Sequence, residues 1–599
     1  MKKNSVKIWC CLIMVFMLAT LAAGCSSQTT NETTAGTTET TGSSETASES
    51  GAGETTKTYD KFITIDVFDW QANYQGTASG WFADYVKKKF NMEMNIIGAT
   101  ASGGADAVFQ TRSAAGNVGD IIMFGAENGR LADTVKAGLM YDITDMVKAC
   151  KNLNNYPGAI TMLQDLIKSD KIYAIASQAS TNPPTKSADG SDPQFGSYMR
   201  WDLYTAIGSP ELKTLEDLLP VLKQMQEKYP KSDSGKKAYA ISLFKDWDGN
   251  MMTLAKQPAC MYGYDENGFQ LLSADGEITQ SIIDSDSLYV RALKFFFQAN
   301  QMGLIDPDST TQNFSNLSNK YKDGGVYWSP WSWLGRTDYN TDEHMTAGKG
   351  FMYTPVQDMK IFSNGCAPGN RYCVGVGSKA QDPQRMVDFI DWLYSPEGIM
   401  LSCSGLGSTC GPEGLTWEMK NGRPELTDFG KKAFAGDDKI TIPEGWGSGT
   451  YKDGISPLNY TAVNGLNINP VNNAPYNPTL WPSYLEANVT PLDKSWQGFM
   501  KAATTIDYLT QHNMYTVAPG ITYVAPAAAV DVDAARTQCK QIIVQDSWKM
   551  VFAKDQAEFD KLLKHMQDTV KGLGYEKVLA WDQKISDEIS AAREAAAGK

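Results

Sequence analysis

Residues 62–70 read Phe62-Ile-Thr-Ile-Asp-Val-Phe-Asp-Trp70, and the order of side chains in this stretch decides the fold class. Phe62, Thr64 and Asp66 alternate with Ile63, Ile65 and Val67, the period of two that sends successive side chains to opposite faces of a β-strand. After a polar loop, Trp81, Phe82, Tyr85, Val86 and Phe90 recur at the spacing of one helical face, and residues 92–97 (MEMNII) return to strand character. Ala105 to Ala115 reads as a second helix ending near Gly116, residues 119–125 (GDIIMFG) as a short apolar strand, and Arg130 to Asn152 as a further helix. Strands alternating with helices at this spacing form right-handed parallel βαβ units with helices on both faces. The chain is therefore expected to be α/β.

Further along, residues 171–178 (KIYAIASQ) are strand-like and lead into a long polar loop. In the helix that begins near residue 214, Thr214 is placed as N-cap with Asp217 three residues on, and Leu215, Leu218, Leu219, Leu222 and Met225 form one apolar stripe. Pro220 marks a kink or an early turn of that helix. Asp382-Pro383 and Ser395-Pro396 each pair an N-cap with a first-turn proline.

The segment from KIYAIASQ through YMRWDLYTAIG to KTLEDLLPVLKQMQEKYP resembles the hinge region of bacterial extracellular solute-binding lipoproteins that serve carbohydrate ABC importers. Lys171, Tyr173, Ala174, Tyr198, Arg200, Asp202, Thr214, Leu215 and Leu218 fit the pattern of that family, while Asp170 and Ala176 replace its usual glycine and proline. The resemblance continues through residues 292–314, 382–401 and the C-terminal helical region, and Gly119-Asp120 stands where Pro-Asp is common. It implies a two-lobed periplasmic-binding-protein-like fold of type II, with hinge-linked lobes and a cleft between them. One lobe would comprise residues 59–177 plus 366–415, the other 178–365 plus 416–599. Implied partners are a carbohydrate ligand, probed by a monomeric binding protein, and membrane-embedded permease subunits with a separate ATPase, since this chain has no G-x-x-x-x-G-K-[ST] loop.

The N-terminus fits that assignment. Lys2, Lys3 and Lys7 precede the apolar run Ile8 to Leu21 and the sequence Leu21-Ala-Ala-Gly-Cys25, so residues 1–24 read as an export signal. Leu-Ala-Ala-Gly-Cys resembles a lipobox with its leucine one position early, which makes Cys25 the lipidated mature N-terminus. Residues 25–58 form a Ser/Thr-rich tether too poor in large apolar side chains to fold. The expected location is extracytoplasmic, with the lipid anchor in the outer face of the cell membrane.

Composition narrows the chemistry. The net charge of −14 becomes −17 without residues 1–24, which carry Lys2, Lys3 and Lys7 and no acids, and such a surface repels nucleic acid. Cys150, Cys260, Cys366, Cys373, Cys403, Cys410 and Cys539 follow Cys25, an odd set in which at least one stays unpaired in a monomer. His344, His512 and His565 are the only histidines, and none sits in a metal-binding spacing. Asp265-Glu-Asn-Gly268 begins like a calcium loop but lacks the ligands that follow, so it reads as a turn between strands. No cofactor, metal or catalytic residue is assigned.

Carboxylates beside aromatic rings suit sugar capture, because hydroxyls donate to the former and the C–H face of a pyranose packs on the latter. Ligands of open α/β sheets sit beyond the carboxyl ends of strands, and those of two-lobed proteins between the lobes. The candidate ligand residues are Trp70, Gln71 and Tyr74 after the first strand, Asn128 after the third, and Asp246 and Trp247 in the second lobe. Trp331 and Trp333 in GVYWSPWSWLG (Gly325 to Gly335) complete the set. Alternation places Val326 and Trp328 on one strand face, Trp328 mainly in the core, and Pro330 at the end of the ladder. The function expected is a substrate-binding lipoprotein for a carbohydrate, with a long ligand favoured by the abundance of aromatic platforms. A secreted glycosidase-like enzyme and a sugar-binding adhesin are the alternatives.

Overall fold

In the computed structural model, residues 57–99, 105–127, 129–404, 409–434 and 440–598 are described. The export signal, Cys25 and nearly all of the tether lie outside them. The opening stretch forms β1 (Ile63–Asp69) and is followed by β2 (Gly76–Thr77), β3 (Met92–Gly98), β4 (Ile121–Gly125) and β5 (Ala174–Ala176). β1 pairs in parallel with β3 on one side and β4 on the other. Ile63, Ile65 and Val67 are buried while Thr64 is exposed, which is the alternation read from the sequence. Between β1 and β3, α1 (Trp81–Phe90) buries Trp81, Phe82, Val86 and Phe90 and ends on Asn91 in the left-handed region.

The sheet is mixed. A strand from far along the chain, Tyr372–Val376, inserts antiparallel between β4 and β5, giving the order β2-β3-β1-β4-(372–376)-β5. The single helix expected over residues 130–152 is instead two short ones, Arg130–Lys136 and Thr144–Lys148. Gly138 takes a positive φ of 69°, and the following Met140 bridges to Gly377 beside the inserted strand, so the chain leaves the helical path to extend the sheet.

A second sheet is centred on β6 (Phe195–Arg200), flanked antiparallel by Trp328–Trp331 and Phe351–Tyr353. The Thr214 capping box forms as read, and Pro220 falls in the first turn of Leu218–Lys228, where no helical N–H is lost. The C-terminal helices Val530–Val551, Gln556–Gly572 and Tyr575–Ala596 return to this half of the molecule. Among the described residues no helix is long and apolar enough to cross a membrane, and Cys260, Cys366, Cys373, Cys410 and Cys539 are free thiols.

The buried apolar side chains divide into two cores. One contains Ile65, Ile96, Ile122 and Phe389; the other contains Tyr198, Leu218, Phe296 and Trp328. The segment after residue 415, expected in the second lobe, packs Trp417, Leu426, Tyr451, Leu458, Tyr460 and Trp481 into the first. Trp81 shows why: its ring stacks on Tyr451 at 5.7 Å and 13°, and its indole N–H donates to the Tyr451 carbonyl at 2.9 Å. The chain rejoins the second core only at Leu492. It therefore passes between the cores near residues 180–194, 363–371 and 482–491.

Trp328 is 1% exposed, with Phe295 and Phe296 each at 6.2 Å and its indole N–H 3.2 Å from Ser197 Oγ. Replacing so large a buried ring leaves a cavity that neighbours only partly fill. Trp328→Ala is expected to lower stability by about 3–5 kcal/mol, measured as a fall in the urea midpoint with an unchanged slope.

Candidate ligand-binding cleft

Two of the crossing segments, 180–194 and 363–371, lie backbone against backbone with each other and with residues 518–520. Gly365 N–H donates to the Ala518 carbonyl at 2.7 Å, Gly520 N–H to Pro184 O at 2.9 Å, and Cys366 N–H to Lys186 O at 2.8 Å. A Cβ at Gly365 would come within 2.0 Å of Pro184 O, so a larger residue would push these segments apart. Above this floor are two adjoining cavities of about 560 and 540 Å³ that share Gln178, Ala188, Gln194, Asn364 and Asn464. The first is walled by Thr461, Asn464 and Asn477 from the segment that joins the first core, and by Ser332 and Trp333 from the second.

Carboxamides dominate the polar lining. The side chains of Gln178, Gln194, Asn364 and Asn370 form no hydrogen bond with any described residue, so their donors and acceptors are uncommitted. Gln178 also holds a left-handed φ of 50°, with its N–H donating to Thr461 O at 2.7 Å. A non-glycine residue in that region carries backbone strain and is retained where the surroundings fix it. Two carboxylates reach the first cavity, and both are engaged by protein groups. Asp189 accepts from the Tyr515 hydroxyl at 2.5 Å and from Gln194 N–H at 3.3 Å, and burial raises its carboxyl pKa. Asp192 pairs with Arg336 and accepts from Thr505 Oγ1 at 2.5 Å.

An aromatic cluster stands behind one wall. Trp333 stacks on Trp331 at 5.3 Å and lies 5.9 Å from Trp247, which stacks on Phe314 at 4.6 Å. Asp246 accepts the Phe314 N–H at 2.8 Å and so fixes that ring's position rather than lining the cavity. Trp247 is 44% exposed but Trp331 only 4%, with its indole N–H on Gln257 Oε1 at 3.1 Å. Pro330 does not end the ladder: the strand runs to Trp331, which pairs with Phe195 after a register shift beyond Ser329. Proline fits within the strand because the irregular pairing demands no N–H there, and Ser329 Oγ accepts from Trp331 N–H instead. Trp331 thus supports Trp333 from beneath.

On the other lobe the loop after β1 is built around Asp69. Its fully buried carboxylate accepts from the Tyr372 hydroxyl at 2.7 Å, Gln71 N–H at 3.1 Å and Asn459 N–H at 3.0 Å. Burial raises its pKa, which those donors oppose. Trp70 packs on Phe109 at 5.7 Å with the Arg130 guanidinium 4.2 Å over its ring. Gln71 is exposed, and its carbonyl takes the Asn459 side-chain N–H at 2.9 Å. The Tyr74 hydroxyl donates to Thr77 O at 2.5 Å. Trp70, Gln71, Tyr74, Asp246 and Trp247 line neither cavity, Trp333 does, and Asn128 lies outside the described residues. The uncommitted carboxamides were missed, because Gln178, Gln194, Asn364 and Asn370 are scattered along the chain and form no motif.

No family model matches the sequence, and no curated protein does. Solved structures do resemble it. The chain matches alginate-binding protein AlgQ2 without calcium ion with a TM-score of 0.56 at 13% identity, over 89% of this chain and 100% of that one. The S. pneumoniae ABC-transporter substrate-binding protein FusA in complex with kestose gives 0.59 at 14%, over 88% and 99%. An HMO-binding, ABC-transporter-associated solute-binding protein from Bifidobacterium longum infantis gives 0.53 at 15%, over 88% and 99%. At these identities the likeness is one of architecture, and it establishes that this chain has the two-lobed α/β fold of ABC-transporter solute-binding proteins.

Proposed function

We propose that the protein captures a carbohydrate, an oligosaccharide, in the cleft between its lobes and delivers it to the permease of an ABC importer. The observation that carries this reading is the set of uncommitted carboxamides, with Gln178, Gln194 and Asn364 lining the same cavity as Trp333 and Asn370 lining the adjoining one. Amides offer donor and acceptor together, as hydroxyls do, and an indole packs against the apolar face of a pyranose. Contacts from both walls are complete only when the lobes enclose the ligand, so binding favours closure about the crossing segments. The solved structures with this fold support the same reading, since FusA holds kestose. Cleavage is disfavoured chemically: Asp189 and Asp192 both lie within networks of protein donors, whereas a glycosidase needs one carboxyl free to protonate the leaving oxygen.

The N-terminal features extend the proposal to location, with the mature chain held to the outer face of the cell membrane through acyl groups on Cys25. The Ser/Thr-rich segment then acts as a tether that lets the binding protein reach its permease.

Calorimetry against a panel of oligosaccharides, followed by chromatography of the same mixtures, is expected to show saturable binding with the sugar intact; shortened products would mean an enzyme. Trp333→Ala should weaken the bound sugar by about tenfold, as for the loss of one aromatic platform worth roughly 1.5 kcal/mol. Trp331→Ala should instead act mainly on the urea midpoint. In cells fed radioactive palmitate, label should enter the wild-type protein and be lost in Cys25→Ala; label retained by the variant would refute that attachment site.

A further inference from the structure

The second cavity differs in charge from the rest of the molecule. In a chain of net charge −14, its lining contains Arg371 and Arg593 and no Asp or Glu. The Arg371 side chain makes no hydrogen bond or ion pair with any described residue. Arg593 donates from Nη1 to the Ser273 carbonyl at 2.9 Å, and among the described residues no carboxylate lies within 4.0 Å of it. Burial lowers its pKa, against the weaker pull of Asp265 and Asp275. Glu588, on the same helix, is engaged by the Tyr523 hydroxyl. Arg593 is half-buried and Arg371 exposed, so both present charge to the cavity, and the planar fork of a guanidinium matches two oxygens of one anion.

We propose that this arm of the cleft receives an anionic substituent, a carboxylate or a sulfate ester, and that the captured saccharide is therefore acidic. The inference rests on the capture reading above and adds the class of sugar. Arg371 immediately precedes the strand Tyr372–Val376 of the first sheet, whereas Arg593 belongs to the last helix, Tyr575–Ala596, which packs against the second core. An anion held between them is contacted from both lobes, so the charged group itself favours the closed form. The other arm carries Asp189, Asp192 and Trp333. Its lining holds no Lys or Arg to meet an anion, and Trp333 suits an uncharged ring, which fixes the direction in which the ligand lies: acidic unit toward Arg371 and Arg593, neutral unit toward Trp333.

The test uses the full chain and calorimetry with uronic-acid oligosaccharides of several linkages, their carboxyl-reduced counterparts, and sulfated neutral oligosaccharides of equal length. An acidic form should bind at least about tenfold more tightly than its neutral counterpart, with affinity falling as salt is raised. Arg371→Gln, which removes no intramolecular bond and should leave the melting temperature unchanged, is expected to weaken the acidic sugar by roughly 10–100-fold and the reduced one by less than about twofold. Preference for the uronide or for the sulfate ester identifies which anion is recognised. Equal affinity for acidic and reduced forms, or equal losses for both in Arg371→Gln, would overturn the charge assignment while leaving saccharide capture intact. If no saccharide binds, the capture reading fails and the charge assignment with it.

Discussion

The carboxylate of Asp69 joins parts of the chain that the sequence holds far apart. It ends β1, yet its donors are the hydroxyl of Tyr372, on the strand inserted beside β4, and the N–H of Asn459, in the segment that walls the cleft. A buried carboxylate is tolerated only when its lone pairs are occupied, and the one oxygen pair here does so with groups from three regions. The loop after β1, the inserted strand and the cleft wall are thereby fixed to one another. Asn459 adds its side-chain bond to Gln71 O, and Gln178 N–H reaches Thr461 O two residues on, so the same wall continues to the cleft floor.

Legibility followed the range of the interactions involved. Alternation in Ile63–Val67 and the stripe of Trp81, Phe82, Val86 and Phe90 report local burial, and the capping chemistry at Thr214, Asp382 and Ser395 is contained within four residues. These were readable because each signal lies within one turn or one strand. The break at Gly138 was not, because helical spacing persists across it and the competing partner, Gly377, lies over two hundred residues away. Nor was the allegiance of residues 416–481: Trp417, Tyr451 and Trp481 are plainly apolar, but nothing in their spacing says which core they join.

The site divides in the same way. Trp333 was legible as an aromatic beyond a proline, and it lines the cleft. Trp331 looked equivalent but is buried, since a register shift carries the strand past Pro330. Residues chosen because they follow strands, such as Trp70 and Asp246, prove to be occupied in holding loops: Trp70 between Phe109 and Arg130, Asp246 on the Phe314 N–H. The polar groups that do face the cleft are amides on the crossing segments. Their availability is a property of what surrounds them, and composition does not display it.

The interleaving of the two cores also governs the order in which the molecule can be assembled. Trp81 meets its stacking partner Tyr451 across 370 residues, and Phe269 stacks at 5.3 Å on Tyr575, which emerges close to the end of the chain. Neither lobe is a contiguous stretch that could finish while the other is still being made. Pairings this distant carry a large loop-closure entropy and are slow to form. During synthesis the early strands must therefore wait, with apolar faces uncovered, until more than two thirds of the chain has emerged.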